Sequence, residues 1–128
     1  MEKEFIPYEQ ALALKKLGFD EPCFAFYNGR FLDYKIQGGD ICAPYLSTEN
    51  RGECPNVPTF SQAFRWFREK YELDSFVNAE WKQMVKVGYY FNAGDYYSPQ
   101  PSHLTYEEAE LECLKKLIEI VINKQKRL

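Results

Sequence analysis

Asn28-Gly29 constrains this chain more than any other pair of residues in it. Both residues tolerate positive φ, and they stand between two aromatic-rich runs, 23–27 and 30–36. In that setting the pair predicts a two-residue hairpin, and a hairpin commits the fold to antiparallel sheet. The loop length fixes a register of Tyr27 opposite Arg30, Phe26 opposite Phe31, and Ala25 opposite Leu32. One face then carries Phe24, Phe26, Phe31 and Asp33, and the other Ala25, Tyr27, Leu32 and Tyr34. Neither face is plainly polar, so both are expected to be covered. A carboxylate among phenylalanines needs a partner, and Arg30 or Lys35 can supply it to Asp33.

A second strand pair is expected over 74–81 and 84–91. There Val85, Val87, Tyr89 and Phe91 alternate with Lys86, Gly88 and Tyr90, the period of a strand. Lys82 and Gln83 are expected to form its turn. Three helical patterns surround the hairpins. Pro7 opens the first, and Gly18 ends it at the position where a left-handed residue stops a helix. Thr59 to Gln62 reads as a capping box for the second, whose apolar stripe is Phe60, Ala63, Phe64, Phe67 and Tyr71, with Trp66 falling between. Thr105 to Glu108 is another box, opening a helix to about Lys124 with Leu111, Leu114, Leu117, Ile118 and Val121 on its apolar face. Glu107, Glu108, Glu110 and Glu112 come early in that helix and Lys124, Lys126 and Arg127 late, which suits the helix dipole. Glu112 and Lys116 are spaced for an i,i+4 pair.

The expected architecture is therefore α+β: an antiparallel sheet of two hairpins with three helices, in the order α-ββ-α-ββ-α, as a single domain over 1–128. Two stretches lack periodicity, 37–58 and 92–104. Loops beyond about 12–15 residues are uncommon in compact domains unless they are functional or disordered, so these are the first places to look for a binding surface.

Composition supports folding and excludes several classes. Leu, Ile, Val and Phe make up 32 of the 128 residues and the net charge is −3, a balance that buries a core and rules out a disordered tail or a polybasic nucleic-acid binder. The acidic N-terminal residues do not resemble a signal peptide, and the most apolar run, 117–122, is interrupted by Glu119. A cytoplasmic protein without membrane contact is expected. Cys23, Cys42, Cys54 and Cys113 are accordingly read as reduced thiols.

Chemistry is sparsely signalled. Cys42 or Cys54 with His103 could form a thiolate and its base, yet no sequence context links them. The same three residues fall short of the four ligands of structural zinc and lack close pairing, so no metal is expected. The acids of 107–112 are explained by the dipole and the cap. Gly38-Gly39 and Gly94 match no phosphate-binding pattern, so no cofactor is expected. Arg65, Arg68 and Lys70 beside aromatic residues could hold a nucleic acid, but that binding needs a positive field that a net charge of −3 does not supply.

Aromatic residues give the clearest lead: 10 Phe, 10 Tyr and 2 Trp. Phenylalanine is largely absorbed by the stripes and strand faces above. Tyr45, Trp81, Tyr89, Tyr90, Tyr96 and Tyr97 exceed what one small core hides, and Tyr and Trp are enriched where proteins touch. The plainer account, a surface tyrosine with a wet hydroxyl, covers some of them. The candidate binding set is Tyr45, Arg65, Arg68, Trp81, Tyr89, Tyr96 and Tyr97.

Several segments resemble a family of small, uncharacterised phage, prophage and mobile-element proteins of gut bacteria. They are 4–8 (EFIPY), 17–23 (LGFDEPC), the helix 62–71 (QAFRWFREKY), and 106–111 running on to Val121. The resemblance covers about half the chain, excludes both loops, and brings no catalytic residues. It implies an accessory protein of a mobile element. The function expected is non-enzymatic binding of another macromolecule, a protein partner, as a homo-oligomer. A nucleotide-like ligand stacked by Trp81, Tyr96 and Tyr97 and neutralised by Arg65 and Arg68 is the alternative, and a thiol enzyme the third.

Overall fold

The computed structural model describes residues 4–21, 23, 25–28, 31–34, 36–37, 40–41, 56–99 and 104–126. The protein is α+β, with three helices and antiparallel sheet among the described residues. Its chain divides into two compact units, Met1–Ser61 and Gln62–Leu128.

In the first unit, helix α1 (Tyr8–Lys16) follows Pro7, which is extended at φ −67 and ψ 162 and caps the helix from outside rather than sitting in its first turn. Its carbonyl accepts the Ala11 N–H at 2.9 Å. The helix stops at Gly18, as its sequence position predicts. Gly18 has φ 100; its N–H donates to the Lys15 carbonyl at 3.1 Å, and that of Phe19 to the Leu14 carbonyl at 2.9 Å. These two bonds satisfy carbonyls that a helix end would leave open. Ala11, Leu14 and Phe19 are buried, with Phe5, Ile6, Cys23, Ala25 and Val57.

The strands of this unit are β1 (Ala25–Asn28), β2 (Phe31–Tyr34), β3 (Ile36–Gln37), β4 (Asp40–Ile41) and β5 (Asn56–Val57). They form an antiparallel sheet in the order β2-β1-β5 and a separate β3-β4 pair. The register differs from the expected one by two residues. Asn28 lies opposite Phe31, Tyr27 opposite Leu32, Phe26 opposite Asp33 and Ala25 opposite Tyr34. The reason lies across β1, whose other edge pairs Ala25 with Val57 and Phe26 with Asn56. A strand between two partners answers to both, and loop length alone does not set its register. The 37–58 segment is likewise not all loop, since β4 and β5 fall within it. Asp33's expected partners Arg30 and Lys35 lie outside the described residues, as do 42–55.

Helix α2 (Phe60–Tyr71) leads into the second unit. Its buried side is Phe60, Ala63, Trp66 and Phe67, while Phe64 and Tyr71 are half-buried. Trp66 thus joins the stripe instead of falling between. Its ring packs edge-on against Phe67 at 5.1 Å and Tyr71 at 5.4 Å, and Lys70 Nζ lies 5.3 Å from its centroid. The helix ends in a left-handed residue that is not glycine: Glu72 has φ 56, and the Leu73 N–H reaches back to the Phe67 carbonyl at 3.2 Å.

Strands β6 (Ser75–Lys82), β7 (Val85–Ala93) and β8 (Tyr96–Tyr97) follow, and helix α3 (Tyr106–Lys126) closes the chain. The sheet order is β6-β7-β8, antiparallel. β6 and β7 pair from Ser75 opposite Ala93 to Lys82 opposite Val85, with a register shift between Glu80 and Trp81. The turn is therefore Gln83-Met84, one residue later than expected. β8 returns on β7, with Ala93 opposite Tyr96 and Asn92 opposite Tyr97. Ser98 locks that return: its N–H donates to the Phe91 carbonyl and its Oγ accepts the Phe91 N–H, both at 3.0 Å. The expected 92–104 loop thus begins as strand.

α3 packs on β7 and β6. Its capping box forms as expected: Thr105 Oγ1 accepts the Glu108 N–H at 3.2 Å, and Glu108 Oε1 accepts the Thr105 N–H at 2.9 Å. The bond from the Thr105 backbone holds the Glu108 carboxyl below its ordinary pKa. Ala109, Cys113, Leu114, Leu117, Ile118 and Val121 are buried along one face, while Leu111 is half-buried. The charges of α3 pair at i,i+3, Glu112 with Lys115 and Lys116 with Glu119, both at 3.2 Å, rather than as Glu112 with Lys116. Lys116 is drawn off by Tyr96, whose ring centroid lies 4.3 Å from its Nζ.

Candidate binding surfaces of the second unit

The register sorts the residues of the β6-β7-β8 sheet onto two faces, because successive side chains alternate along a strand. Ser75, Val77, Ala79, Tyr89, Phe91, Ala93 and Tyr96 share one face. α3 covers it: Phe91 and Ala93 are buried, the Tyr106 ring lies edge-on to Tyr89 at 5.5 Å, and Lys116 sits over Tyr96. Phe76, Asn78, Glu80, Tyr90, Asn92 and Tyr97 share the other. There Phe76 is 42% exposed and Tyr97 65% exposed, and Phe76 meets Tyr90 edge-on at 6.0 Å. Glu80 and Asn92 are buried on that same face. Among the described residues, no buried side-chain nitrogen or oxygen lacks a hydrogen-bond partner.

The hairpin tip is a second surface. Trp81 is 60% exposed, Met84 93% and Val85 61%. Trp81 lies opposite Lys86 in the ladder. Lys86 Nζ reaches back along its own strand to the Tyr89 hydroxyl at 3.3 Å and lies 5.0 Å from that ring's centroid.

The expected binding set is thus dispersed. Tyr89 and Tyr96 are half-buried packing residues, the latter also tilted against Phe91 at 5.9 Å. Arg65 and Arg68 are exposed on α2, with Arg65 Nε 3.9 Å from Glu69 Oε1. Tyr45 lies outside the described residues. Trp81 stands opposite Lys86, and Tyr96 opposite Ala93, seven residues further along β7. At roughly 3.3 Å per residue that is about 23 Å, so one small ligand cannot be stacked by both Trp81 and the Tyr96-Tyr97 pair. Sequence reasoning missed Phe76, Met84 and Val85. Only Phe76 carried a signal, through its even-numbered place in an alternating strand. Gln83-Met84 has none of the residues that mark a turn.

Thiol chemistry is weak at the described cysteines. Cys23 and Cys113 are buried thiols. Cys113 donates to the Asn92 carbonyl at 3.5 Å, and burial, aided by the nearby Glu110 charge and opposed by a Ser75 hydrogen bond, pushes its pKa up to about 12. It stays protonated at neutral pH and is a poor nucleophile. Cys42, Cys54 and His103 lie outside the described residues. Among the described residues no three His, Cys, Asp or Glu side chains gather as metal ligands, and no helix is long and apolar enough to cross a membrane. No protein-family model matches the chain, and neither a curated protein nor a solved structure matches it.

Proposed function

We propose that this chain is a non-enzymatic binding protein that engages a protein partner through the aromatic sheet face of its second unit, and that it works as a homo-oligomer. The observation that carries this reading is the exposure of Phe76 and Tyr97, on either side of buried Asn92, on the sheet face opposite α3. A wet hydroxyl accounts for an exposed tyrosine; Phe76 has none, so water gives its ring no compensation. Exposed aromatic residues are what protein interfaces use as anchors. The resemblance of the helical segments to phage and mobile-element proteins supports an accessory role in such an element.

Light scattering on the full chain tests the oligomer, with a pull-down from host lysate as the second arm. A mass well above 15.1 kDa that falls on Phe76→Ser and Tyr97→Ser is the expected result. A strict monomer that also retains no partner would sink the reading.

A further inference from the structure

The β6–β7 tip is locally basic. From 81 to 87 it reads Trp-Lys-Gln-Met-Val-Lys-Val, with two lysines and no acid, in a protein of net charge −3. Trp81, Met84 and Val85 are its exposed apolar side chains, and Lys82 and Lys86 are exposed beside them. The turn is also strained. Gln83 has φ 49 and Met84 φ 68, the left-handed region that asparagine and glycine enter at little cost and other residues do not. An Asn-Gly turn would close the same hairpin more stably, but it would remove the apolar side chain from the apex. The strained turn keeps Met84 in water, where it contributes nothing to the fold.

The shape narrows what it touches. The tip is the apex of a two-stranded hairpin, closed by the two residues Gln83 and Met84 and paired on either side as Lys82 with Val85. A bilayer boundary accepts a convex apolar tip without a matching pocket, because acyl chains rearrange around it. Tryptophan settles at headgroup level, and lysines are drawn to anionic headgroups. Val85 lies one ladder rung beyond the Trp81–Lys86 pair, about 3 Å, and Met84 at the apex about two, about 7 Å, so the apex falls within the roughly 5–10 Å reached by interfacial segments. We propose that the β6–β7 tip inserts Met84 and Val85 into the headgroup–acyl boundary of a bilayer containing anionic lipid, with Trp81 at the interface, Lys82 on the headgroups, and Lys86 exchanging its Tyr89 contact for a headgroup. The contact is peripheral and requires no spanning helix. It goes beyond the protein-binding face, from which it is separate, and departs from the sequence expectation of no membrane contact.

Trp81 is also the reporter. The other tryptophan, Trp66, is buried, so an environment change on adding vesicles reads the tip. The full chain is mixed with phosphatidylcholine vesicles, with and without phosphatidylglycerol, and followed by fluorescence and co-sedimentation. A blue shift and pelleting with the phosphatidylglycerol vesicles are expected, weakening as salt rises. Met84→Asp, and separately the Lys82→Glu/Lys86→Glu pair, should each weaken binding about tenfold or more while circular dichroism stays unchanged. Absence of a shift with either vesicle overturns the proposal, as does binding that Met84→Asp leaves intact. Equal binding to phosphatidylcholine alone overturns the anionic requirement. If Met84→Asp instead lowers the light-scattering mass without lipid, the tip is a protein contact and the lipid proposal falls. Phe76→Ser should leave vesicle binding unchanged, which separates this outcome from that of the sheet face.

Discussion

The two ends of the β6–β7 hairpin obey opposite rules. At its base, Phe91 and Ala93 are buried beneath α3, the Ser98 bonds close β8 onto β7, and the turn beyond them uses Gly94 at φ 63. There the left-handed residue is the one that adopts it freely, and a side chain at that place would meet Leu73 Cδ2 at 3.1 Å. At its tip, left-handed backbone is forced on Gln83 and Met84, and the side chains stand in water. The base is arranged for stability. The tip gives stability up to keep particular side chains exposed, as expected of a surface that meets something else.

Breaking the base should show the largest effect. Leu117 is fully buried on α3, so Leu117→Ala should cost about 2–5 kcal/mol in urea unfolding; a loss comparable to that of a surface substitution would mean α3 is not the keystone of this unit. Cys113 comes next. Its pKa is raised from 9.0 to about 12 in the fold, so the unfolded chain loses this proton first as pH rises. Its stabilising contribution is complete below pH 9 and fades between there and pH 12, by up to about 1.4 kcal/mol per pH unit. Alkaline unfolding of Cys113→Ala should show a correspondingly shallower slope over that window, and an identical slope would mean the thiol is not sealed from water.

Removing the α3 cap is a smaller test at the same end. Thr105→Ala should lower stability by about 1 kcal/mol, read as a fall in denaturant midpoint at constant m-value. The tip should respond in the other direction. Met84→Gly relieves the left-handed strain but loosens the unfolded chain, leaving a net gain of about 0.5 kcal/mol. A loss would show that Met84 is held by contacts of its own, and the contrast between base and tip would fail.

Much of this was legible where one residue type does one local job. Gly18 stops α1 because only a glycine closes that turn without strain, and Thr105 with Glu108 caps α3 through groups three residues apart. Local chemistry suffices there. The turn falls at Gln83-Met84, a residue later than Lys82-Gln83, and nothing in its sequence favours a turn. Helical spacing leaves Trp66 between the stripe and the polar side because it cannot show how wide a face its neighbours cover. The β1–β2 register slipped by two because β5, thirty residues on, pairs with the same strand. Of the seven expected binding residues, Tyr97 is exposed on the sheet face opposite α3, Trp81 at the hairpin tip, and Arg65 and Arg68 on α2.

Sequence by itself determined the α+β class, the end of α1, the start of α3 and the strands of the second hairpin to within a residue or two, since capping, alternation and glycine conformation act over a few residues. Tertiary structure decided which aromatic residues meet water. Tyr96 and Tyr97 are neighbours of one type, yet Tyr96 lies under Lys116 and Tyr97 is exposed. Adjacent positions on a strand point to opposite faces, and which face is covered depends on where a helix ten residues further along docks. Its apolar stripe fixes that choice only once the sheet exists to receive it.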